Sequence, residues 1–242
     1  HEAGPEQHRI REVNTGIIMA RAENLRGWLD RIGCDNAKGE YYLPDIFSLA
    51  RAENGEIQGF LANDPEDLEG ANDRVQLAAL ERRYQAREAR RLMAHGVQLA
   101  DPARIDVRGR IEAGLDVMLD INVVLEGEVR LGDGVTVGPG AVLKDCDLAA
   151  GTRVLAHSVL EGVRTEGACD IGPFARLRPG TVLAEGCRIG NFVEAKNAVL
   201  GAGSKASHLS YLGDTVIGRK VNIGAGTITC NYDGANKHRT VI

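Results

Sequence analysis

Long apolar runs are absent from this 242-residue sequence, although 43% of its residues are hydrophobic and 26% are charged. No stretch approaches the ~18 apolar residues of a membrane-spanning helix, and the apolar fraction is too high for a disordered chain. An excess of positive charge is also lacking, since 34 acidic residues outnumber 29 Lys and Arg, the net charge is -5 and the pI is about 5.7. We therefore expect a soluble, folded protein with no membrane and no nucleic-acid partner.

Cysteine is rare and irregularly placed. The five cysteines are odd in number and contain no Cys-x-x-Cys pair, which argues against a disulfide framework and against a zinc site. This usage predicts a reducing compartment, the cytoplasm. The sequence starts without Met or a secretory signal pattern and stops inside an apolar pattern, so we expect both ends to be cut from a longer protein.

Glycine is sparse in the first hundred residues, with 9 of the 30 glycines, whereas 21 lie between Gly109 and Gly234. This shift predicts a boundary near residue 100. Before it, the pattern predicts a strand in residues 11–21, helices in 24–32 and 43–52, and a strand in 56–62, which indicates a mixed α/β fold. Neither glycine-rich phosphate-binding motif occurs there.

Residues 72–95 lack glycine and proline and are rich in helix-forming residues. The spacing of Val75, Leu77, Leu80 and Tyr84 predicts one apolar face on a long linking helix. Acidic residues interrupt its arginines, so we interpret this run as a solvated helix face and not as a basic binding patch.

Aliphatic residues recur every six positions in the second part of the chain. The main runs, separated by a one-residue phase slip, are Leu119, Leu125, Leu131, Val137, Leu143, then Leu148, Val154, Leu160, then Ile171, Leu177, Leu183, Ile189, and finally Ile217 and Ile223. This period predicts a β-solenoid, in which each coil buries its apolar residues against the next. Six glycines that follow these aliphatic residues are expected at turns with positive φ: Gly132, Gly138, Gly172, Gly190, Gly218 and Gly224.

The repeat is interrupted between Leu200 and Ile217, which predicts a loop that carries His208 out of the coil. Histidine can exchange a proton near neutral pH, so His208 is a candidate general base, although a lone loop histidine is more often structural. Glu194 and Lys196 lie two residues apart on a predicted strand and should share a face. A three-histidine metal site is disfavoured because His157, His208 and His238 contain no locally spaced ligand pair. Residues 230–234 predict a turn that leaves the coil.

Several long segments resemble one enzyme family: residues 171–180, 190–194, 205–214 and 221–237, together with 12–16, 39–45 and 69–74. They are similar to the bacterial bifunctional enzymes that make UDP-N-acetylglucosamine, in which a glucosamine-1-phosphate acetyltransferase is fused to an N-acetylglucosamine-1-phosphate uridylyltransferase. The resemblance implies a left-handed parallel β-helix of hexapeptide repeats in residues 97–242 and a linker helix in 74–96. It also implies that residues 1–73 are the C-terminal part of a Rossmann-like nucleotidyltransferase domain.

The same resemblance implies roles for individual residues. His208 would be the general base and Glu194 would orient it. Arg178 and Lys196 would hold the sugar phosphate, and Tyr211 and Asn222 would contact the sugar. Ala225, Asn231, Tyr232 and Lys237 would line the acetyl-CoA site. In the first part, Asn14 would contact the uridine-linked sugar, and Asn72 would contact both that sugar and a catalytic Mg²⁺.

The resemblance further implies a cytoplasmic homotrimer that uses glucosamine-1-phosphate, acetyl-CoA and UTP to supply UDP-N-acetylglucosamine for cell-wall and lipopolysaccharide precursors. Because the phosphate-binding loop and the other Mg²⁺ ligand are missing, we expect no uridylyl transfer from the chain as given. Two alternatives stay open: a hexapeptide acyltransferase with a different acceptor, and a trimeric scaffold. The scaffold is favoured only if Arg178, Lys196 and His208 do not converge in space.

Overall fold

The computed structural model describes residues 9–242. The chain divides into two units, the first ending at Leu77 and the second running from Ala78 to Ile242. Within the described residues, no helix has the length and apolar character needed to cross a membrane.

Helices occur in the first unit and at the start of the second. They are α1 (Ala22–Leu29), α2 (Asp45–Ala52), α3 (Arg74–Ala94) and a short 3-10 helix, Pro65–Leu68. The helices predicted in residues 24–32, 43–52 and 72–95 are therefore confirmed, with slightly different bounds.

The first unit is held by contacts between α1 and the end of α2. Trp28 donates its indole N–H to Glu53 Oε2 at 2.8 Å, and Arg31 forms an ion pair with the same carboxylate. These two donors lower the pKa of Glu53. In the described part of this unit, the buried hydrophobic side chains are Ile46 and Ala50, both on α2.

The two strands predicted for the first unit do not form. Residues 11–21 contain no strand and lead directly into α1, and residues 56–62 are irregular. A strand is stabilised by a ladder of hydrogen bonds to a neighbour, and neither segment has one among residues 9–77. The strand predictions are wrong, and no Rossmann-like sheet is seen in this part of the chain.

The second unit is a parallel β-solenoid with three faces. The strands are β1 (Gln98–Leu99), β2 (Ile105–Ala113), β3 (Met118–Leu119), β4 (Val123–Leu131), β5 (Thr136–Val137), β6 (Val142–Lys144), β7 (Asp147–Leu148), β8 (Arg153–Val154), β9 (Val159–Glu161), β10 (Val163–Thr165), β11 (Asp170–Ile171), β12 (Arg176–Leu177), β13 (Thr181–Leu183), β14 (Arg188–Leu200), β15 (Lys205–Ile217), β16 (Asn222–Ile223) and β17 (Thr240–Val241).

Each face is one ladder of parallel strands. The first face contains β1, β3, β5, β8, β11, the starts of β14 and β15, and β16. The second face contains the starts of β2 and β4, then β6, β9, β12 and the middles of β14 and β15. The third face contains the ends of β2 and β4, then β7, β10, β13, the ends of β14 and β15, and β17.

The predicted six-residue period matches this coil. Leu125, Leu143, Leu160 and Leu177 are register neighbours in successive coils, and each is 0% exposed. The coil from Leu143 to Leu160 is shorter by a single position than the coil from Leu125 to Leu143, and this shortening accounts for the phase slip seen in the sequence. The parallel solenoid is confirmed, whereas the handedness of the coil stays a prediction.

The glycines that follow the aliphatic positions act mainly through close packing. Of the six, only Gly172 has a positive φ, at 100°. At Gly190 a Cβ atom would lie 1.9 Å from the backbone oxygen of Ser207 in the next coil, and Gly132 and Gly138 are crowded by backbone in the same way. A positive φ, the predicted reason for glycine, is wrong at these three positions. A side chain is excluded there because it would collide with the backbone of the next coil.

Helix α3 covers the first coil of the solenoid. Ala89 and Leu92 are each 1% exposed and belong to the solenoid core. Gln85 binds the backbone of Val107 at the edge strand twice, donating to its carbonyl at 2.8 Å and accepting from its N–H at 2.7 Å. The buried face therefore differs from the predicted one: Val75 and Leu77 are 80% and 55% exposed, and Tyr84 is 39% exposed.

Candidate active site

The segment around His208 is not a loop. Residues 205–217 form β15, which pairs with β14 from Arg188↔Lys205 to Leu200↔Ile217. The predicted interruption is wrong because Ala206, Ser210 and Leu212 supply the buried positions of this coil, so small and polar residues hide the aliphatic period.

The predicted general base, its orienting carboxylate and the predicted sugar-phosphate ligands lie on two adjacent faces that meet at a corner. Phe192 and Leu209 form this corner, with φ angles of 56° and 42°. Asn191 and His208 precede it on the first face and are register partners. The outward positions after the corner, on the second face, are occupied by Arg176, Arg178, Glu194, Lys196 and Tyr211.

His208 is exposed and is held from one side. Its Nδ1 lies 3.0 Å from Oδ1 of Asn191. Because an amide oxygen only accepts hydrogen bonds, this contact places the ring proton on Nδ1 and leaves the lone pair on Nε2 free. Sequence reasoning missed Asn191, although it occupies the position of His208 in the preceding coil and could have been identified as its neighbour from the repeat.

Glu194 engages a cation in this structure. Its Oε1 accepts a hydrogen bond from Arg178 Nη1 at 2.9 Å, while His208 donates from Nδ1 to Oδ1 of Asn191 on the other side of the corner. Both members of the Arg178–Glu194 pair are about 40% exposed. The predicted orienting role of Glu194 thus requires a rotation of its side chain away from Arg178.

The second face offers a cation beside a phenol. Among residues 9–242, Lys196 forms no ion pair within 4.0 Å. Its register partner is Gly213, and the hydroxyl of Tyr211 lies 2.5 Å from the place where a Gly213 Cβ would stand. The absent side chain therefore leaves room for the Tyr211 ring, whose hydroxyl lies over the register partner of Lys196.

The chain leaves the coil between β16 and β17. Thr215 pairs with Thr240 in the next coil, which is a longer advance along the chain than the one from Ala198 to its partner Thr215. The excursion over residues 230–238 is closed by an antiparallel bridge between Tyr232 and Lys237. The predicted exit turn is confirmed.

Polar contacts fix the base and the tip of this excursion. Asp214 accepts hydrogen bonds from Asn197, at 2.7 Å, and from Asn231, and both lower its pKa. At the tip, Asp233 accepts from the N–H groups of Ala235 and Asn236 and contacts His238 Nε2 at 2.7 Å. Tyr232, predicted to line an acetyl-CoA site, is 60% exposed.

The remaining predicted residues are exposed. Asn222 lies on the first face beside Lys205, and Ala225 follows it in the next turn. In the first unit, Asn14 Oδ1 accepts from the N–H of Gly16 at 3.0 Å, and the N–H of Asn72 donates to Gln76 at 2.7 Å.

The described residues do not form a Mg²⁺ site by themselves. Asn72 offers one amide oxygen, but no group of three or more His, Cys, Asp or Glu side chains lies together in residues 9–242. Magnesium prefers several oxygen ligands, with carboxylates among them. The three histidines are also separately engaged, since His157 stacks on Phe174, whereas His208 and His238 bind Asn191 and Asp233.

The cysteines of the coil are interior residues. Cys146, Cys169 and Cys187 are at most 3% exposed. Burial raises the pKa of Cys146 to about 11, which keeps this thiol protonated at neutral pH. These thiols therefore lie in the interior of the coil, whereas the His208 side chain is exposed.

No protein-family model matches the chain. Among curated proteins, it is 58% identical to the bifunctional protein GlmU of Stenotrophomonas maltophilia (strain K279a) and 61% identical to that of Xanthomonas campestris pv. campestris (strain B100). The GlmU of Xanthomonas axonopodis pv. citri (strain 306) is 59% identical. Each match extends over 241 residues, 100% of this chain and 53% of the relative.

A solved structure, the UDP-N-acetylglucosamine acyltransferase from Campylobacter jejuni, matches at a TM-score of 0.28 and 15% identity, over 50% of this chain and 68% of that one. This likeness is too weak to support any conclusion. The chain spans about half the length of the curated relatives that it matches. The family resemblance indicated by the sequence motifs is confirmed by these relatives: the chain is, along its whole length, a homologue of the bifunctional GlmU proteins.

Proposed function

We propose that the solenoid transfers an acetyl group from acetyl-CoA to the amine of glucosamine-1-phosphate. The observation that carries this proposal is the position of His208, exposed with Nδ1 bound to Asn191, next to a face that presents Arg178, Lys196 and Tyr211. The homology to GlmU proteins supports it over the full chain.

The chemistry needs one base and no covalent enzyme intermediate. The sugar amine attacks the thioester carbonyl, a C–N bond forms, and the C–S bond breaks to release CoA. His208 Nε2 accepts the proton that the amine loses, and the Nδ1–H contact with Asn191 keeps that nitrogen free. The departing sulfur can then receive the proton.

The cations of the second face would bind the acceptor. Arg178 and Lys196 would hold the sugar phosphate, since a guanidinium and an ammonium together match its charge. Tyr211 and Asn222 would contact the sugar. We assign Ala225, Asn231, Tyr232 and Lys237 to acetyl-CoA on the family resemblance; residues 231–237 belong to the excursion, and Ala225 lies in the turn before it.

The division of these residues between two faces favours a site shared between copies of the chain. A convex corner, lined by Phe192 and Leu209, separates His208 from Arg178 and Lys196. A neighbouring subunit would convert this corner into a cleft, so we propose the homotrimer that the resemblance implies.

A second reaction, uridylyl transfer from UTP to N-acetylglucosamine-1-phosphate, is proposed for the full-length protein. Asn14 would contact the nucleotide sugar, and Asn72 would supply one oxygen to Mg²⁺, which would neutralise phosphate charge in that reaction. The Rossmann-like domain, the left-handed coil, the cytoplasmic location and the role in cell-wall precursor synthesis belong to the same proposal.

The test is thiol release from acetyl-CoA by the full-length gene product, with glucosamine-1-phosphate, glucosamine and serine as acceptors. We expect release only with the phosphorylated sugar, and a loss of about 10²–10⁴-fold in kcat for His208→Ala. His95→Ala is the matched control, because His95 follows α3 and contacts the carbonyl of Arg91. Equal activity with serine would favour another acyltransferase, and an unchanged rate in His208→Ala would favour the scaffold.

A further inference from the structure

A chain of ion pairs runs along the second face, next to the proposed phosphate site. Arg176 Nη2 binds Glu161 Oε2 at 2.8 Å, and Arg178 Nη1 binds Glu194 Oε1 at 2.9 Å. All four side chains are between 36% and 40% exposed, so they are partly shielded from water. The family resemblance implies roles for Arg178 and Glu194 in the reaction and none for Arg176.

Arg176 holds an unused donor. Its Nη1 is the one buried side-chain nitrogen or oxygen within residues 9–242 that has no hydrogen-bond partner. A buried guanidinium N–H without an acceptor is destabilising, and such groups in native proteins generally have a functional reason.

An acceptor for this donor lies in the next coil. Arg176 and Glu194 are register partners, so their side chains leave adjacent strands in the same direction. Glu194 nevertheless reaches past Arg176 to Arg178. Glu194 therefore faces two arginines of the preceding coil, Arg176 in register and Arg178 two residues further on, and pairs with Arg178.

We infer that Arg176 is a positioning residue that receives Glu194 when a phosphate occupies Arg178. This inference rests on the proposed function, because that function places the sugar phosphate on Arg178. The arriving phosphate carries up to two negative charges and repels the Glu194 carboxylate. Rotation of Glu194 onto Arg176 Nη1 removes this repulsion and satisfies the unused donor.

The exchange raises the number of ion pairs from two to three. Before binding, Glu194 neutralises Arg178, and Arg176 is paired with Glu161 alone. After binding, the phosphate neutralises Arg178, and Arg176 bridges Glu161 and Glu194 with its two terminal nitrogens. A guanidinium can bind two carboxylates in this way because its donors diverge in one plane.

The experiment measures the Kd of glucosamine-1-phosphate and of inorganic phosphate by calorimetry, with the full-length protein and no acetyl-CoA. Arg176→Gln is expected to raise both Kd values about three- to tenfold, a range set by the partial exposure of the pair. In a Glu194→Gln background, the same substitution is expected to change Kd by less than about twofold, because no carboxylate is left to relocate.

Arg164→Gln is the matched control. Arg164 lies on the third face and pairs with Glu166 at 2.6 Å, so this variant loses the same charge at a distance from the site. Arg176→Lys retains the charge with a single ammonium, and we expect its Kd to lie between those of the parent and Arg176→Gln. Thermal unfolding of each variant shows whether it is folded.

Each result distinguishes the inference from the proposed function. If the parent protein binds glucosamine-1-phosphate and folded Arg176→Gln binds it equally well, the inference is overturned and the function stands. If Arg176→Gln weakens binding equally in the Glu194→Gln background, Arg176 contacts phosphate directly and the relocation of Glu194 is wrong. If the parent protein binds neither ligand, the proposed phosphate site is wrong, and the inference fails with it.

Discussion

The first unit and the solenoid differ in where each finds the partners for its apolar side chains. In the solenoid, an interior leucine such as Leu143 packs on its equivalents in the coils before and after it. In the first unit, Met19 and Phe60 are 99% and 90% exposed. A repeat therefore supplies its own neighbours, whereas an α/β sheet depends on strands that are distant in the chain.

The same difference appears in backbone hydrogen bonding. β14 and β15 are paired along their whole lengths, whereas residues 11–21 and 56–62 have no ladder. The backbone of the second unit should therefore be the more stable of the two. The largest difference between the units is expected in the rates of amide hydrogen exchange.

Hydrogen exchange of the chain at neutral pH should separate the two units. We expect the interior amides of β14 and β15 to exchange with opening free energies of about 5 kcal/mol or more, close to global unfolding. Amides in residues 11–21 and 56–62 should show about 1 kcal/mol or less, because no strand protects them. Mass spectrometry of peptic fragments measures both. Protection of residues 56–62 equal to that of β14 would mean that a sheet does form in the first unit.

Truncation of a side chain should lower the free energy of unfolding more in the solenoid than in the first unit. Leu143 is 0% exposed, and Leu143→Ala is expected to lower the free energy of unfolding of the solenoid by about 2–5 kcal/mol, since rigid neighbouring coils do not close the cavity. Phe60→Ala removes a larger side chain but should change it by no more than about 0.5 kcal/mol. Denaturant unfolding followed by circular dichroism measures both variants, and similar losses would contradict the contrast.

These differences explain which parts of the fold are predictable from sequence. The six-residue period requires only that each coil resembles the next, and it predicted the interior positions Leu125, Leu143 and Leu160 correctly. The period gave a wrong prediction around His208. Ala206 and Ser210 are buried there in place of larger aliphatic residues, so the sequence pattern resembles that of a loop. Strand propensity failed in residues 11–21, because pairing and not propensity decides strand formation.

The candidate site was less predictable than the coil. Residue types and motif resemblance identify His208, Arg178 and Lys196, but not the contacts among them. The hydrogen bond from His208 to Asn191 and the ion pair between Arg178 and Glu194 depend on which side chains become neighbours in successive coils. That register follows from the length of each coil, which varies along the chain and which a sixfold pattern with phase slips does not fix.

The contact between α3 and the first coil allows the stability contributed by a single buried side chain, Gln85, to be measured. Gln85→Ala removes both hydrogen bonds to the backbone of Val107 and should lower the free energy of unfolding by about 1–3 kcal/mol, because a buried N–H and C=O lose their partners. Gln76→Ala is the control, since it lies in the same helix and loses one exposed hydrogen bond, to Asn72. We expect a change within about 0.5 kcal/mol there. Equal effects would indicate that water replaces the Gln85 amide.

Unlike the coils of the second unit, the excursion over residues 230–238 has no stacked neighbours. The smallest of the predicted effects is expected in this segment. Hydrogen bonds from the Asn236 and Ala235 backbone, together with the His238 contact, lower the pKa of Asp233 to about 2. A lowered carboxyl pKa stabilises the folded loop above the unfolded value of about 4, and this contribution is lost as the pH falls from about 4 to about 2. The amide exchange of Asn236, corrected for intrinsic rates, should therefore accelerate over this range while that of β14 does not. Asp233→Asn should abolish the pH dependence, because an amide does not titrate; a loop that loosens equally in this variant would mean that another group holds it.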